Sequence, residues 1–238
     1  EKLLINERYE AWGNLARKLA HEIKNPLTPI QLTIDRIKNK YSGQISDDDK
    51  KNFEENLKII NNQIKQIENL VNEFSDFARM PKPTLKNHDL NKILQENIKL
   101  LKEIDNSIEI SLISNDKKVL FKCDREQIAR VFFNLIKNSI ESIQQKAEKT
   151  PNLNKKISIE ITENNDHIRM VLIDNGVGFD KVNNIKEITN PYFTTKKNGT
   201  GLGLSIVNKI VNDHNGELDF FPTSNGAKIE INFKSHGN

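Results

Sequence analysis

Apolar residues in the first eighty positions recur every three or four residues, the period of α-helices that pack against other helices. The first run consists of Ile23, Leu27, Ile30, Ile34 and Ile37, and the second of Phe53, Leu57, Ile60, Ile64, Ile67, Val71 and Phe74. Between them, residues 39–50 hold a Ser-Gly pair and three aspartates without such a stripe, which predicts a turn. Residues 1–80 therefore predict an all-α helical hairpin.

Two amphipathic helices cannot enclose a core alone, so the hairpin needs another apolar surface. Pairing with a second copy would make a homodimer with a four-helix bundle, which is the arrangement we favour. The alternative is burial against the rest of the same chain.

The pattern changes after Pro81 and Pro83, which end the second helix because proline disfavours helix in the residue before it. Residues 81–90 predict a linker, and residues 91–238 a second domain. Helices are predicted at 90–103, from the N-cap Asp124 to about 145, and at 202–213. Strands are predicted at 108–113, 119–123, 157–162, 167–173, 217–221 and 227–233, with a turn at 163–166. These elements predict an α+β sandwich.

Composition narrows the partners and the compartment. The net charge of +3, from 36 basic and 33 acidic residues, is small and evenly scattered, which argues against nucleic-acid binding. The single cysteine, Cys123, excludes internal disulfides and lies in an apolar run typical of a buried strand. The longest apolar run, Met170–Ile173, is far too short to span a bilayer. Because the chain begins without methionine, we expect it to be a piece of a longer protein.

The first helix carries a polar group of residues away from its apolar seam. If Ile23 occupies position d of a heptad, His21 falls at b, Glu22 at c and Asn25 at f, all of which face water. His21 and Asn25 are four residues apart, hence on one face. On its own, an exposed helical histidine is most often a solvated surface residue.

The predicted helix after Asp124 carries Asn134 and Asn138, also four residues apart and therefore on one face. Amide oxygens facing a site can serve as ligands for a hard cation such as Mg²⁺. Asparagines on a helix are more often merely solvated.

Asp174-Asn175-Gly176-Val177-Gly178 follows an apolar strand directly. A carboxylate at a strand end can recognise a donor such as the adenine amino group, and Gly176 and Gly178 would let the backbone approach a ligand closely. The same residues are also a common turn signal.

Glycines alternate at Gly199, Gly201 and Gly203, where the last predicted helix begins. Free backbone amides at a helix N-terminus form a phosphate site, although the Gly-Lys-Ser/Thr ending of a P-loop is absent. Residues 183–198, just before, are long and without clear structure, which is typical of a functional lid. Lys196 could reach nucleotide phosphates from this lid.

Taken in order, these motifs resemble the bacterial sensor histidine kinases of two-component systems. Ala-His-Glu-Ile-Lys-Asn-Pro-Leu-Thr-Pro at 20–29 and Pro-Tyr-Phe-Thr-Thr-Lys at 191–196 are most similar to the nitrogen-regulation sensors of the NtrY type. The resemblance implies a dimerisation and phosphoacceptor hairpin followed by an ATP-binding domain of the GHKL, or Bergerat, type.

The resemblance also implies the roles of individual residues. His21 would be the phosphoacceptor, Glu22 its base or orienting partner, and Asn25 would orient a water that dephosphorylates the receiver. Asn138 and Asn134 would hold Mg²⁺. The ATP-binding residues would be Asn134, Lys137, Asn138, Asp174, Gly176, Gly178, Thr194, Thr195, Lys196, Gly199, Thr200, Gly201, Leu202 and Gly203.

The implied activity is autophosphorylation of His21 from ATP and transfer to an aspartate of an NtrX-like receiver domain. The implied location is the cytoplasmic side of an inner-membrane sensor. Two residues depart from the family pattern: Ser139 replaces an alanine, and Thr189 replaces a phenylalanine that anchors the lid. Two alternatives stay open, namely a dimeric ATP-binding scaffold without kinase turnover and a clamp-like ATPase.

Overall fold

The computed structural model describes residues 2–78, 80–115, 118–164, 167–179, 184–196 and 199–234. The helices are α1 (Lys2–Tyr41), α2 (Asp47–Ala78), α3 (Leu90–Ile104), α4 (Arg125–Ala147) and α5 (Gly203–Asp213). The strands are β1 (Lys86–Asp89), β2 (Glu109–Ser114), β3 (Leu120–Cys123), β4 (Lys156–Asn164), β5 (His167–Asp174), β6 (Gly216–Thr223) and β7 (Gly226–Lys234). They form two compact units, Glu1–Pro81 and Lys82–Asn238.

The first unit is the predicted helical hairpin, and among its described side chains the apolar seam is only partly buried. The buried apolar side chains of the hairpin share one heptad position, at separations of seven or fourteen residues: Ala20 and Ile34 on α1, and Leu57, Ile64 and Val71 on α2. Four residues at the other seam position remain 41–45% exposed: Ile23 and Ile30 on α1, and Ile60 and Ile67 on α2. At the loop end of the hairpin, Ile37 and Phe53 at this position are partly buried against the core between the helices. One apolar face of the hairpin therefore lies open within a single chain.

Helix α1 runs through two prolines just after His21. Pro26 and Pro29 lie inside the helix and have no N–H to donate to the carbonyls of Glu22 and Asn25. One turn later, the hydroxyl of Thr33 donates to the carbonyl of Pro29 at 2.8 Å. The backbone around His21 is therefore held by fewer helical hydrogen bonds than the rest of α1.

The second unit is the predicted sandwich of helices on a sheet. Five strands are ordered β2-β4-β5-β7-β6, and β2 runs parallel to β4 while the other neighbours are antiparallel. Strands β1 and β3 form a separate antiparallel pair. On each central strand alternate residues are buried, as period-two patterning requires for one covered face.

Helix α4 is the central helix of this unit and packs against both α3 and α5. Its buried stripe consists of Ile128, Val131, Phe132, Leu135, Ile136, Ser139, Ile140 and Ile143, with Gln127 at its start. Because this stripe faces the core, the neighbouring positions of α4 lie at the edge of the buried surface, where polar groups can reach a site.

The predicted linker over residues 81–90 is wrong in its second half. Residues Lys86–Asp89 form β1, which pairs with β3 in a ladder from Lys86 opposite Cys123 to Asp89 opposite Leu120. The four residues Lys-Asn-His-Asp have no strand pattern of their own, so cross-strand pairing rather than local propensity makes this strand.

Two predicted loops are shorter than expected. The turn predicted at 39–50 occupies residues 42–46, since α1 continues to Tyr41 and α2 begins at Asp47. In the turn predicted at 163–166, residues 163 and 164 belong to β4, and 165–166 lie outside the described residues. The predicted lid has a short 3-10 helix at Ile185–Glu187. Its residues 183, 197 and 198 also lie outside the described part.

Cys123 is fully buried in β3, as its apolar surroundings predict, and burial raises the pKa of its thiol to about 12. In the lid, Thr189 is half-buried, and the neighbouring Ile188 is buried at 4% exposure. Ile188 therefore supplies the lid with an apolar anchor beside the departure at Thr189. None of the helices in the described ranges is both long and apolar enough to cross a membrane.

Asp124 joins three parts of the second unit. Its carboxylate accepts from the backbone N–H groups of Glu126 and Gln127 at the start of α4, and from that of Thr84 before β1. Its own N–H donates to Nε2 of the buried His214 at the end of α5. Burial raises the pKa of Asp124, but the hydrogen bonds outweigh that effect and hold the pKa below its ordinary value.

We expect Asp124→Ala to lower the free energy of unfolding by about 1–2 kcal/mol, the usual cost of losing an N-cap. Since the folded-state pKa is lowered, the carboxylate contributes its stability above its ordinary pKa of about 4 and loses it as the pH falls. The difference between variant and parent should shrink below that pH. Urea titration measures the loss in the free energy of unfolding, and amide exchange of α4 then shows whether that helix is destabilised. An equal loss of stability in the exposed control Asp219→Ala would contradict the N-cap role of Asp124.

Candidate functional site

The polar face of α1 is exposed as predicted. His21, Glu22 and Asn25 are all exposed, and Ala20, next to His21, is buried against the hairpin. Since His21 and Asn25 are one turn apart, their side chains emerge side by side from the same helical face. This face belongs to the first unit, whereas every other predicted site residue belongs to the second.

Asp174 is the most buried charged group of the predicted nucleotide site. It ends β5 at 3% exposure, and its two carboxylate oxygens accept from the Ser139 hydroxyl at 2.8 Å and from the Gly176 N–H at 2.9 Å. Burial raises the pKa of Asp174 above its ordinary value, and these two hydrogen bonds oppose the rise. Ser139, a departure from the family pattern, therefore orients this carboxylate.

The turn after Asp174 requires both of its glycines. A Cβ on Gly176 would lie 2.2 Å from the hydroxyl oxygen of Ser142, and Gly178 has φ +65° with its Cβ position 2.5 Å from the carbonyl oxygen of Gly226. The Ser142 hydroxyl accepts from the N–H of Val177 at 3.0 Å. The turn is thus clamped between α4 and the start of β7.

Lys146, on the next turn of α4, was not among the predicted site residues. Its ammonium donates to the carbonyl oxygen of Gly176 at 3.1 Å and to Oδ1 of Asn225 at 2.6 Å. Lys146, Gly176, Gly178, Thr195 and Asn225 all line a cavity of about 290 Å³. A lysine on a helix surface gives no sequence signal for such a role, because only the fold brings Gly176 and Asn225 within reach of Lys146.

Asn134 and Asn138 face the start of α5. The Nδ2 group of Asn134 donates to the carbonyl of Arg130, and its Oδ1 lies 3.4 Å from the Cβ position of Gly203. Oδ1 of Asn138 accepts from the Lys196 ammonium at 3.1 Å. A side chain at position 203 would narrow the space between these amides and the first turn of α5.

The lid and the glycine loop are joined by backbone contacts. The Tyr192 N–H donates to the carbonyl of Gly201. Gly201 has φ +70°, and a Cβ built on it would lie 2.4 Å from the Tyr192 backbone. Gly199 packs closely against Thr194, since its Cβ position lies 2.4 Å from the threonine hydroxyl. At Gly201 the positive φ and the Tyr192 backbone require glycine, and at Gly199 a larger residue would displace the Thr194 side chain.

The remaining predicted residues occupy the rim and the base of this loop. Thr195 is exposed, and the Thr194 hydroxyl accepts from the N–H of Lys196 at 3.1 Å. The Thr200 hydroxyl accepts from the N–H of Leu202, which is fully buried and caps α5.

Lys196 and Lys137 share one partner that sequence reasoning missed. The Lys196 ammonium forms a short ion pair with the carboxylate of Glu141, and the Lys137 ammonium lies 3.9 Å from the same carboxylate. The structure therefore brings together Asn134, Lys137, Asn138, Lys196 and the first turn of α5. Amide and ammonium groups of the kinds that can bind a cation and a polyphosphate thus converge on one side of α4.

Two family models match the chain. The His Kinase A (phospho-acceptor) domain matches residues 11–83, and the histidine kinase-, DNA gyrase B- and HSP90-like ATPase domain matches residues 123–236. The first range contains the exposed face of α1, and the second contains every nucleotide-site residue named above.

Among curated proteins, a Rickettsia bellii protein named as an NtrY-like sensor histidine kinase is 38% identical over 232 residues, or 97% of this chain and 37% of the relative. The nitrogen regulation protein NtrY of Azorhizobium caulinodans is 34% identical over 241 residues, or 99% of this chain and 30% of the relative. The chain thus spans about a third of the length of these relatives.

Among solved structures, the catalytic domain of the histidine kinase ThkA matches at 26% identity with a TM-score of 0.55, covering 63% of this chain and 95% of that one. ThkA in complex with the response regulator TrrA matches at 24% identity with a TM-score of 0.65, covering 97% of this chain and 64% of that one. The second match shows a shared fold.

We expect Asp174→Asn to abolish nucleotide binding while the protein stays folded. A folded-state pKa above the ordinary value means that the ionised carboxylate costs stability at neutral pH, and the amide removes that cost. The variant should therefore be as stable as its parent or more stable at pH 7, and lose this advantage at low pH.

Calorimetric titration with ATP and urea unfolding at two pH values measure the two effects. The matched control is Asp219→Asn, on an exposed strand position. Undiminished ATP binding by Asp174→Asn would contradict the assigned role.

Proposed function

The chain belongs to the sensor histidine kinases, and on that premise we propose that it transfers the γ-phosphoryl group of ATP to His21. The observation that carries the proposal is the exposure of His21 on α1, within the match to a phospho-acceptor domain. A second unit matching an ATPase domain supplies the donor site. Identity to NtrY-type relatives supports the same assignment.

In the proposed reaction a neutral imidazole nitrogen of His21 attacks the γ-phosphorus. A nitrogen–phosphorus bond forms, the bond to the bridging oxygen breaks, and ADP leaves with its electron pair. Glu22, adjacent and equally exposed, accepts the imidazole proton or orients the ring. Both side chains are exposed on α1, so the hairpin itself leaves them accessible to a phosphoryl donor.

We propose that the carboxylate of the buried Asp174 accepts a hydrogen bond from the adenine amino group, beside the cavity bounded by Gly176 and Gly178. The phosphates would lie against the N-terminus of α5, where the amides of residues 199–203 and the helix dipole favour negative charge. Lys196, Lys137, Thr194 and Thr195 would surround the same phosphates. Burial of Asp174 supports this orientation. A buried acceptor favours a ligand group that donates a hydrogen bond, because a ligand without a donor would leave it unsatisfied.

The residues near Gly203 fit a magnesium ion held together with the nucleotide. Amide oxygens of Asn134 and Asn138 are ligands that Mg²⁺ accepts, and phosphates complete its preferred oxygen shell. Within the described ranges no cluster of three His, Cys, Asp or Glu side chains offers another site. When bound, the ion would neutralise charge on the transferring phosphoryl group. Asn138 would hold it and Asn134 would assist.

We propose that the partner is a response-regulator receiver domain, whose aspartate takes the phosphoryl group from His21. Kinship with NtrY-type relatives favours an NtrX-like receiver, and the ThkA fold match includes a structure with a response regulator. Asn25, on the same exposed face, would orient a water that hydrolyses the receiver's phosphoaspartate.

We also propose a homodimer through the hairpin. The open seam formed by Ile23, Ile30, Ile60 and Ile67 repeats with the heptad period of a helix bundle. A second copy would cover this seam with the same residues, since a twofold interface is self-complementary.

His21→Ala should abolish the acid-labile label that the chain acquires from γ-labelled ATP, because His21 is the only histidine among the described residues of the first unit. ATP binding should be unchanged, since His21 lies in the other unit. The measurement is a gel-based labelling assay with His167→Ala, an exposed strand histidine, as control. Label surviving in His21→Ala refutes the assignment, whereas ATP binding without label in the parent supports the scaffold alternative.

Asn25→Ala should separate the two activities of this face. Autophosphorylation should stay within about twofold, while dephosphorylation of the receiver falls about tenfold or more, since a positioned water is lost. The assay follows phosphate release from a phosphorylated receiver, with Asn39→Ala on exposed α1 surface as control. Equal loss of both activities would reject the split.

A further inference from the structure

Lys196 contacts two residues of α4 that lie three positions apart. Its ammonium donates to Oδ1 of Asn138 at 3.1 Å and pairs with the carboxylate of Glu141. The lysine and glutamate side chains are each 37% exposed, so the contact is partly shielded from water. The lid is thereby tied to the helix that carries the proposed magnesium ligands.

The lid backbone is fixed around the same lysine. The Thr194 hydroxyl accepts from the N–H of Lys196, and the N–H of Gly199 donates to the carbonyl of Lys196 at 3.3 Å. These two bonds hold the backbone of Lys196, whose ammonium lies against α4. The backbone of the lysine in the ion pair is therefore held in place, unlike that of a lysine in a freely moving surface segment.

The contact places a cation where the proposed function needs another. If Oδ1 of Asn138 is a magnesium ligand, it cannot hold Mg²⁺ while the Lys196 ammonium occupies it, because two cations at one oxygen repel. Lys196 must leave this oxygen when magnesium and nucleotide bind. The triphosphate offers it more negative charge than the single carboxylate that it leaves.

We propose that Glu141 is a positioning residue that holds the lid lysine Lys196 on Asn138 until a magnesium–nucleotide complex displaces it to the phosphates. This inference rests on the proposed function, since it uses the proposed magnesium and phosphate sites. In the nucleotide-free state the latch, defined as the Glu141, Asn138 and Lys196 side chains, keeps the lid on α4.

Lys137 makes the exchange electrostatically feasible. Its ammonium is already 3.9 Å from the Glu141 carboxylate, because side chains four residues apart lie on one face of a helix. When Lys196 departs, Lys137 can close on Glu141 and compensate its charge. Glu141 thus exchanges one lysine for another instead of facing the phosphates unpaired.

The latch predicts that Glu141→Gln binds nucleotide more tightly, because binding no longer has to break the ion pair. For a partly exposed pair the gain in affinity should be about threefold. Lys196→Met should bind more weakly, because it loses a phosphate contact. In the Lys196→Met background, Glu141→Gln should have no further effect, since no lysine remains to be released.

Calorimetric titration of the whole chain with a non-hydrolysable ATP analogue and Mg²⁺ tests all four proteins of this cycle. Glu126→Gln, exposed at the far end of α4, is the matched control and should not change affinity. Weaker binding by Glu141→Gln overturns the latch. Equal tightening in both backgrounds also overturns it, because removal of a negative charge near the phosphates would then explain the gain.

Hydrogen exchange without nucleotide gives an independent readout. Amides of residues 188–196 should exchange faster in Glu141→Gln than in the parent or in Glu126→Gln, and unchanged exchange overturns the latch. If the parent binds no nucleotide, the proposed function fails and the latch with it. If the parent binds and the cycle shows no coupling, only the latch fails.

Discussion

Burial of the apolar stripe of α4 against α3, α5 and the sheet fixes the rotation of that helix, and the nucleotide site depends on this rotation. Once the stripe faces inward, Ser139 meets Asp174, and Ser142 and Lys146 hold the glycine turn that follows. Asn138 and Glu141, each one residue before Ser139 and Ser142, contact Lys196 of the lid. A helix rotated by one residue would lose all of these contacts together, since side chains on a helix share their orientation.

The helical hairpin works by the opposite principle, since it leaves apolar surface uncovered. One heptad position closes the contact between α1 and α2, and at the other position Ile23, Ile30, Ile60 and Ile67 remain exposed. The polar face with His21 lies outside both. A bundle can therefore form along the seam while the proposed phosphoacceptor stays accessible. A histidine at a core position would be buried by the same bundle.

Much of the fold was predictable, because long amphipathic helices and alternating strands carry strong periodic signals. The N-cap Asp124, the buried strand around Cys123 and the two helices of the hairpin follow from local patterns. The strand at residues 86–89 does not follow from a local pattern, because its polar sequence becomes a strand only by pairing with β3. The contacts of Lys146 and Glu141 were not predictable for a similar reason. A charged residue on a helix is expected to be solvated unless the positions of the elements that contact it are known.

By itself the sequence determined which residues could carry the chemistry, since the spacing of His21 and Asn25, of the two asparagines on α4 and of the glycines is local. It also determined the family, because five motifs occur in a fixed order. Only the tertiary structure decided which of these groups contact one another. The ties from Ser139 to Asp174, from Lys146 to Asn225 and from Glu141 to Lys196 span 35, 79 and 55 residues of chain. Contacts of that range depend on how the core packs, and no local pattern encodes them.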